Sequence, residues 1–349
     1  MRNSVFLAVA LAVLAGWAGT SARAADSAVV FTYNRFGDSR FPAANTRLDQ
    51  LDDQIAELKA GGYWVLPLSQ VVEALQRGKP LPDKAVALSI DDTWASVWQE
   101  AWPRFKAAGL PVTLFLITDE IDRGGPDRLN WDNVREMAAS GLVTIATQGA
   151  GHPHLPALPA ALAAEDLARA RARIQAELGQ VPDLFAWPYG EMSREAAEIV
   201  RQAGFKAAFG QHSGPIWSRS DWFFLPRFPL NETYGEAERF RLAARSLPLP
   251  AVDVTPDDPR LGANPPAFGF TLSPEVPGAE PAGLLHHPRG PRHHRAAGPT
   301  HRGAHGQAAA PGPLAHQLHR PHPGGPLALV RLAVPGGVIV FPESGEDSA

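Results

Sequence analysis

Cysteine is absent from this chain of 349 residues, which excludes disulfide bonds and any lipid anchor attached to a cysteine. The fold must therefore be held together by noncovalent packing. Basic residues are also in the minority, with 32 lysines and arginines against 36 aspartates and glutamates and a net charge of −4. Because there is no basic patch near the N-terminus, we do not expect nucleic acid or an anionic membrane surface as a partner.

Long hydrophobic runs are lacking too, since the apolar run over residues 5–15 is too short for a comfortable membrane span. Arg2 precedes this run, and the small residues around Arg23 offer a cleavage site, as in a secretory signal peptide. An uncleaved N-terminal anchor is the alternative, but no charged stop-transfer flank follows. We predict a signal peptide over residues 1–24 and a periplasmic or secreted protein without stable membrane insertion.

Between residues 29 and 270, short apolar runs alternate with helical patterns, which is typical of a parallel-stranded α/β fold. The predicted strands cover residues 28–33, 86–90, 112–117, 143–146, 184–187 and 207–210. The predicted helices cover residues 48–59, 68–77, 94–108, 131–139, 162–178 and 194–203. Six such units in this order favour a distorted (β/α) barrel over an open sheet.

The composition changes abruptly after residue 272. Residues 273–326 are rich in Pro, Gly, Ala, His and Arg, and they contain nine of the twelve histidines but no lysine or aspartate. This segment fits a histidine-rich tail that recruits metal, a natural disordered tail, or a GC-rich coding sequence translated out of frame, and we favour the last. The predicted organisation is a folded domain over residues 25–272 and a low-complexity tail over residues 273–349.

Three motifs carry the candidate chemistry, and each follows a predicted strand. Residues 86–90 run into Asp91 and Asp92, residues 143–146 lead to the polar loop 147–154, and residues 184–187 lead to a Pro-Tyr-Gly turn. Two adjacent aspartates can serve one site if the backbone turns there, so that one binds a metal while the other handles a proton. The alternative is a structural helix cap at Asp92.

In their order and spacing, the three motifs resemble those of the NodB-homology family of polysaccharide deacetylases, which includes periplasmic enzymes acting on poly-N-acetylglucosamine. The resemblance covers residues 29–270, and within this range residues 33–37 and 79–84 also look like that family. It implies a (β/α) barrel of the deacetylase type. It also implies metal-dependent hydrolysis of the C–N bond of N-acetyl groups on a carbohydrate polymer, whether poly-N-acetylglucosamine, a chitin-like chain or peptidoglycan.

The resemblance also assigns roles to individual residues. Asp91 corresponds to the general base, and Asp92 to a ligand of a divalent metal, with zinc expected and cobalt or nickel as alternatives. His152 corresponds to the second of two metal-binding histidines, while Gln148 stands at the position of the first. The backbone N–H of Tyr189 corresponds to the donor that stabilises the oxyanion.

Several positions depart from the family pattern. Gln148 offers a neutral amide oxygen, which is a poorer ligand than imidazole for zinc-like metals. Asn34 stands where related sequences usually carry His. Ala186 replaces an Arg that holds the base in many members, and Arg227 is the candidate substitute. His212 is the first candidate for the general acid that protonates the leaving amine.

The candidate substrate-binding residues surround these motifs. They are Trp187, Pro188, Tyr189, His154 and Asn34. We expect the aromatic members to line a sugar cleft, and His154 is also the second candidate for the general acid. The departures from the family pattern leave an alternative function, a catalytically impaired carbohydrate-binding pseudoenzyme on the same fold.

Overall fold

A computed structural model describes residues 25–260, 269–272, 300–302, 332–334 and 337–339. The predicted signal segment 1–24 and most of the predicted tail lie outside the described residues. Within the described part, no helix has both the length and the apolar character needed to cross a membrane.

The strands and helices follow the predicted alternation. The strands are β1 (Ser27–Tyr33), β2 (Arg35–Phe36), β3 (Asn45–Thr46), β4 (Trp64–Val65), β5 (Ala85–Ile90), β6 (Val112–Leu116), β7 (Val143–Thr147), β8 (Leu184–Ala186), β9 (Ala207–Phe209), β10 (Ile216–Trp217), β11 (Phe228–Pro229), β12 (Ala251–Thr255), β13 (Gly269–Leu272), β14 (Thr300–Arg302), β15 (Leu332–Val334) and β16 (Gly337–Ile339). The helices are α1 (Leu48–Ala60), α2 (Leu68–Gln76), α3 (Trp102–Ala108), α4 (Thr118–Arg123), α5 (Trp131–Ala139), α6 (Ala160–Leu178), α7 (Arg194–Gln202) and α8 (Ala237–Ala244).

The six predicted strands and six predicted helices are confirmed, with small shifts of their bounds. The largest difference affects the helix predicted over residues 94–108, which contains a π-helical turn at Val97–Ala101 before α3. Pro103 lies in the first turn of α3, and its missing N–H cannot continue a regular α-helical ladder. The short helices α4 and α8 were not predicted.

The main sheet is curled and mostly parallel, in the order β10-β1-β5-β6-β7-β8-β9, with β4 beside β5 and β11 beside β1. Successive strand residues face opposite sides. Phe31 of β1 packs in the large core formed with α1, α5 and α8, whereas Val30 packs in a smaller core with α2. A third core joins β8 and β9 to α7. This curled sheet confirms the predicted barrel-type α/β fold.

Residues 222–229, called here the closing segment, connect the two ends of the curled sheet. At one end, the Leu225 N–H donates to the carbonyl of Ala208 in β9 at 2.9 Å. At the other end, β11 pairs in parallel with β1, with Phe228 opposite Phe31. The closing segment therefore carries Arg227 to a position between the last and the first strands of the sheet.

Beyond the barrel, β12, β13 and β14 form an antiparallel sheet, and β15 pairs with β16. Three of these strands, β14, β15 and β16, lie within residues 273–349.

Candidate active site

Three residues at the carboxyl edge of the sheet have a left-handed backbone. Asp92 after β5 has a φ of 66°, His152 after β7 has a φ of 53°, and Tyr189 after β8 has a φ of 58°. This conformation costs a nonglycine residue about 1–3 kcal/mol, and such strain concentrates at functional sites. The three strained residues belong to the three sequence motifs, one in each.

A chain of contacts joins these motifs. The side-chain amide of Gln148 donates to Asp92 Oδ1 at 3.4 Å, and its Oε1 lies 2.9 Å from His152 Nε2. The His152 ring in turn packs against the Tyr189 ring, with 4.5 Å between their centroids. The structure therefore brings Asp92, Gln148, His152 and Tyr189 into one site, although their strands are separated along the chain.

Asp91 and Arg227 form a buried, two-pronged ion pair beside this site. Arg227 Nη1 lies 2.6 Å from Asp91 Oδ1, and Nη2 lies 2.7 Å from Oδ2. The Arg227 guanidinium also donates to Thr32 Oγ1, to Ser89 Oγ and to the Gly210 carbonyl. Arg227 thus holds Asp91, the residue that the sequence predicts as the base.

The environment of Asp91 favours a strong base. Burial raises the pKa of the Asp91 carboxyl above its usual range, while the charge and hydrogen bonds of Arg227 oppose that rise. A raised pKa increases the affinity of the carboxylate for a proton, and the paired guanidinium favours its ionised form. The arrangement suits a group that must accept a proton during a reaction.

Asp92 is surrounded by neutral N–H donors. Its Oδ2 atom accepts hydrogen bonds from Asn34 Nδ2 and Trp94 Nε1, both at 3.1 Å. Its Oδ1 atom accepts only the longer bond from Gln148 among the described contacts. Asn34, predicted to bind substrate, instead contacts the carboxylate of the predicted metal ligand.

The Gln148 amide fixes the protonation pattern around it. Because the Asp92 carboxylate only accepts hydrogen bonds, the Gln148 NH₂ must face Asp92 and its carbonyl oxygen must face His152. His152 Nε2 then carries the proton in this arrangement. Burial lowers the pKa of His152, which favours the neutral ring, with its lone pair on Nδ1.

The donor set offers limited support for a metal. Within the residues that the structure covers, no cluster of three or more His, Cys, Asp or Glu side chains is placed to hold a metal ion. One carboxylate from Asp92, one imidazole from His152 and one amide oxygen from Gln148 fit a divalent cation in kind. The neutral amide makes the set weaker than one with two imidazoles.

The loop that carries Gln148 and His152 is held by Asp166 of helix α6. Asp166 Oδ2 accepts from the Ala150 N–H at 2.9 Å, and Oδ1 accepts from the Gly151 N–H at 2.8 Å. These are charge-assisted bonds to consecutive amides, and the Asp166 carboxylate is largely buried. Asp166 therefore fixes the backbone from which His152 projects.

Tyr189, His154 and Glu191 form the exposed side of the site. The His154 ring stacks on the Tyr189 ring at a centroid distance of 4.2 Å, and its Nδ1 lies 2.8 Å from Glu191 Oε2. Tyr189 is 43% exposed, so its ring is open to a ligand. This stacked pair is suited to contact a sugar ring.

Trp187 and Pro188 do not lie on this surface. Trp187 is fully buried, its indole N–H donates to the Phe223 carbonyl at 2.9 Å, and its ring packs edge-on against Phe185. Pro188 is buried as well. The prediction that these two residues bind substrate is therefore wrong, because the turn exposes only Tyr189 of that motif.

His212 is a poor proton donor in this structure. Its ring packs against Phe224 at 4.2 Å, and its buried Nδ1 atom has no hydrogen-bond partner among the described residues. Burial, assisted by the positive charge of Arg227, lowers the pKa of His212 to about 4. A general acid must carry a proton at the working pH, so the predicted acid role does not fit a ring that is neutral at pH 7.

The sequence interpretation missed Trp94 and Asp166. The position of Trp94, two residues after Asp92, could have signalled contact with that side chain. Asp166 lies in the middle of an amphipathic helix, where a single aspartate gives no signal of its partner. Only the fold brings it to the 148–152 loop.

The curled parallel sheet defines a β/α-barrel fold, with a candidate active site at its carboxyl edge. Residues 78–208 match the family model described as polysaccharide deacetylase. Enzymes of this family generally depend on a divalent metal.

Known proteins with similar sequences and structures support this assignment. The poly-β-1,6-N-acetyl-D-glucosamine N-deacetylase of Escherichia coli K12 is 28% identical over 217 residues, covering 51% of this chain and 32% of that protein. This chain therefore matches about a third of the length of that relative. The structure of IcaB from Ammonifex degensii has a TM-score of 0.57 at 26% identity, covering 63% of this chain and 98% of the other. The Streptococcus pyogenes deacetylase PplD, in complex with acetate, has a TM-score of 0.59 at 19% identity, with 62% and 98% covered, and shares the fold.

Proposed function

We propose that this chain hydrolyses N-acetyl groups from an amino-sugar polysaccharide, with poly-β-1,6-N-acetylglucosamine as the favoured substrate over chitin-like chains and peptidoglycan. The observation that carries the proposal is the Asp91–Arg227 ion pair beside the Asp92–Gln148–His152 cluster. The activity of the Escherichia coli relative supports the substrate class.

In this proposal, Asp91 removes a proton from water as the water oxygen attacks the acetamide carbonyl carbon. Arg227 holds both oxygens of Asp91 and so fixes the direction in which that proton is accepted. The Tyr189 N–H stabilises the negative charge that develops on the carbonyl oxygen. The C–N bond then breaks to give acetate and an amine, and protonated Asp91 holds the proton that the amine requires.

The cation site consists of Asp92, His152 and the Gln148 amide oxygen. A bound divalent cation, with zinc expected and cobalt or nickel as alternatives, would polarise the carbonyl and lower the pKa of water. For ligation through Nε2, His152 must carry its proton on Nδ1, and the Gln148 carbonyl must turn away from its hydrogen bond with His152. Cation binding therefore competes with an internal hydrogen bond.

The sugar chain contacts the exposed aromatic surface. Tyr189 and His154 present stacked rings beside the strained Asp92 and His152, so a sugar on that surface lies next to the reacting groups. The polymer is the only partner that we propose.

Residues 1–24 export the protein to the periplasm or the medium. The domain over residues 25–272 carries the activity, while residues 273–349 arise from out-of-frame translation.

Acetate release tests this function directly. Purified residues 25–349 are incubated with a short poly-β-1,6-N-acetylglucosamine oligomer, with zinc or cobalt added and with a chelator. We expect release that depends on the cation and is abolished in Asp91→Asn. The second candidate, a binding pseudoenzyme, is favoured by Gln148 at a ligand position. It predicts oligomer binding without acetate release by a folded sample.

A further inference from the structure

The two oxygens of Asp92 have different surroundings. Oδ2 accepts two hydrogen bonds at 3.1 Å, from Asn34 Nδ2 and Trp94 Nε1. A carboxylate oxygen offers about two lone-pair positions, so these two donors saturate it. Oδ1 has one contact of 3.4 Å to Gln148, which is long for an N–H···O bond.

We propose that Trp94 and Asn34 are positioning residues that leave only Oδ1 of Asp92 available to a cation or a polar substrate group. Oδ1 lies on the side of Gln148, and Gln148 contacts His152. The single available oxygen therefore faces the imidazole across the site. The orientation of Asp92 does not depend on the proposed function. Only the claim that a cation bound at Oδ1 serves deacetylation rests on that function.

The Trp94 ring is itself fixed from outside the site. The guanidinium carbon of Arg35 lies 3.3 Å from the indole centroid, and that of Arg128 lies 3.6 Å from it. Arg35 is paired with Asp38 and Arg128 with Glu120. Rotation of the indole would break two cation–π contacts, so its N–H remains directed at Asp92.

The donors to Oδ2 come from parts of the chain other than the Gln148 loop. Asn34 directly follows β1, while Trp94 lies two residues beyond Asp92 itself. Asp92 is therefore oriented even when Gln148 turns its amide away. In contrast, a carboxylate without these donors could rotate and offer both oxygens.

Trp94→Phe is the informative variant, because phenylalanine retains an aromatic ring between the two arginines but has no N–H. Trp98→Phe is the matched control, since Trp98 is also partly buried four residues later and packs against the main core.

The first measurement is the indole ¹H–¹⁵N NMR resonance of Trp94, identified by its loss in Trp94→Phe. We expect this resonance to shift in Asp92→Gly, which removes the acceptor and suits the left-handed backbone.

The second measurement is Co²⁺ affinity, followed by its visible absorption. Because groups that orient a metal ligand typically contribute at least tenfold to metal affinity, Trp94→Phe should weaken Co²⁺ binding about tenfold, whereas Trp98→Phe should leave it unchanged. If the Trp94 indole resonance has the same chemical shift in Asp92→Gly as in the wild type, the proposal is overturned. Equal Co²⁺ affinity in wild type and Trp94→Phe would also overturn it.

The NMR measurement needs neither cation nor substrate, which separates this proposal from the proposed function. A shifted resonance without acetate release from the wild type would support the positioning of Asp92 and reject deacetylation. If the wild type binds no Co²⁺, the NMR result alone decides the positioning claim.

Discussion

Arg227 holds both carboxylate oxygens of Asp91 at 2.6 and 2.7 Å, and the two side chains are 0% and 1% exposed. The pair joins the closing segment to the end of β5, 136 residues earlier in the chain. Since neither charge reaches solvent, each depends on the other for compensation.

Replacing Arg227 by Met should destabilise the protein strongly. The change leaves the Asp91 charge buried without its partner, which costs about 3–5 kcal/mol in comparable buried pairs. Urea unfolding at pH 7 measures this loss. The double variant with Asp91→Asn should lose less than the sum of the single losses, and strict additivity would contradict a coupled pair.

Asp91→Asn should abolish acetate release while leaving Co²⁺ affinity close to that of the wild type. The amide retains the shape of the carboxylate but accepts no proton from water. Asp92→Asn and His152→Ala should instead bind Co²⁺ more weakly than the wild type. Isothermal titration with Co²⁺ and an acetate assay on the same samples check both results. Undiminished acetate release by Asp91→Asn would show that another group is the base.

Gln148→His should tighten cation binding by about tenfold or more, because imidazole is a better ligand than a neutral amide for zinc-like metals. It also removes the amide that links Asp92 to His152. Competition with a chromogenic chelator gives the affinity, with Gln148→Ala as the control without a ligand. Equal affinities for the wild type and Gln148→His would mean that another group already serves at this position.

His212 should make the fold sensitive to acid. Its pKa is lowered from 6.5 to about 4, so between these values the unfolded chain binds a proton that the folded chain does not. The contribution to stability is therefore lost as pH falls through this window, by about 2 kcal/mol at pH 4.5. Urea unfolding at pH 7.5 and 4.5 should show a smaller decline for His212→Leu than for the wild type. An identical decline would show that His212 is not buried in its neutral form.

Asp166 is not one of the proposed cation ligands, but Asp166→Asn should still weaken cation binding. The neutral amide can accept from only one of the two backbone N–H groups that the carboxylate now holds, so the 148–152 loop loses a restraint. We expect a several-fold loss of Co²⁺ affinity and faster hydrogen exchange at Ala150 and Gly151. Glu165→Gln, at the neighbouring exposed position, is the control and should leave both unchanged.

Much of the barrel could be predicted from the sequence, because its strands are continuous apolar runs and its long helices are amphipathic. Helix α4 has six residues, which is too short for a periodic pattern to emerge. The buried state of Trp187 was not predictable from its motif, since alternation along β8 and the turn after it decide which aromatic ring is exposed. The hydrogen bond between Asp166 and the Gly151 N–H, 15 residues earlier, depends on how α6 packs against the rest of the fold.

The closing segment also sets the order in which the site is completed during synthesis. All three motifs, up to Tyr189, leave the ribosome before Arg227, which is carried between β9 and β1. A nascent chain therefore contains Asp91, Asp92, His152 and Tyr189 while Asp91 still lacks its counterion. Burial of Asp91 becomes favourable only once the closing segment arrives, so the Asp91–Arg227 pair and the closed barrel form in the same step.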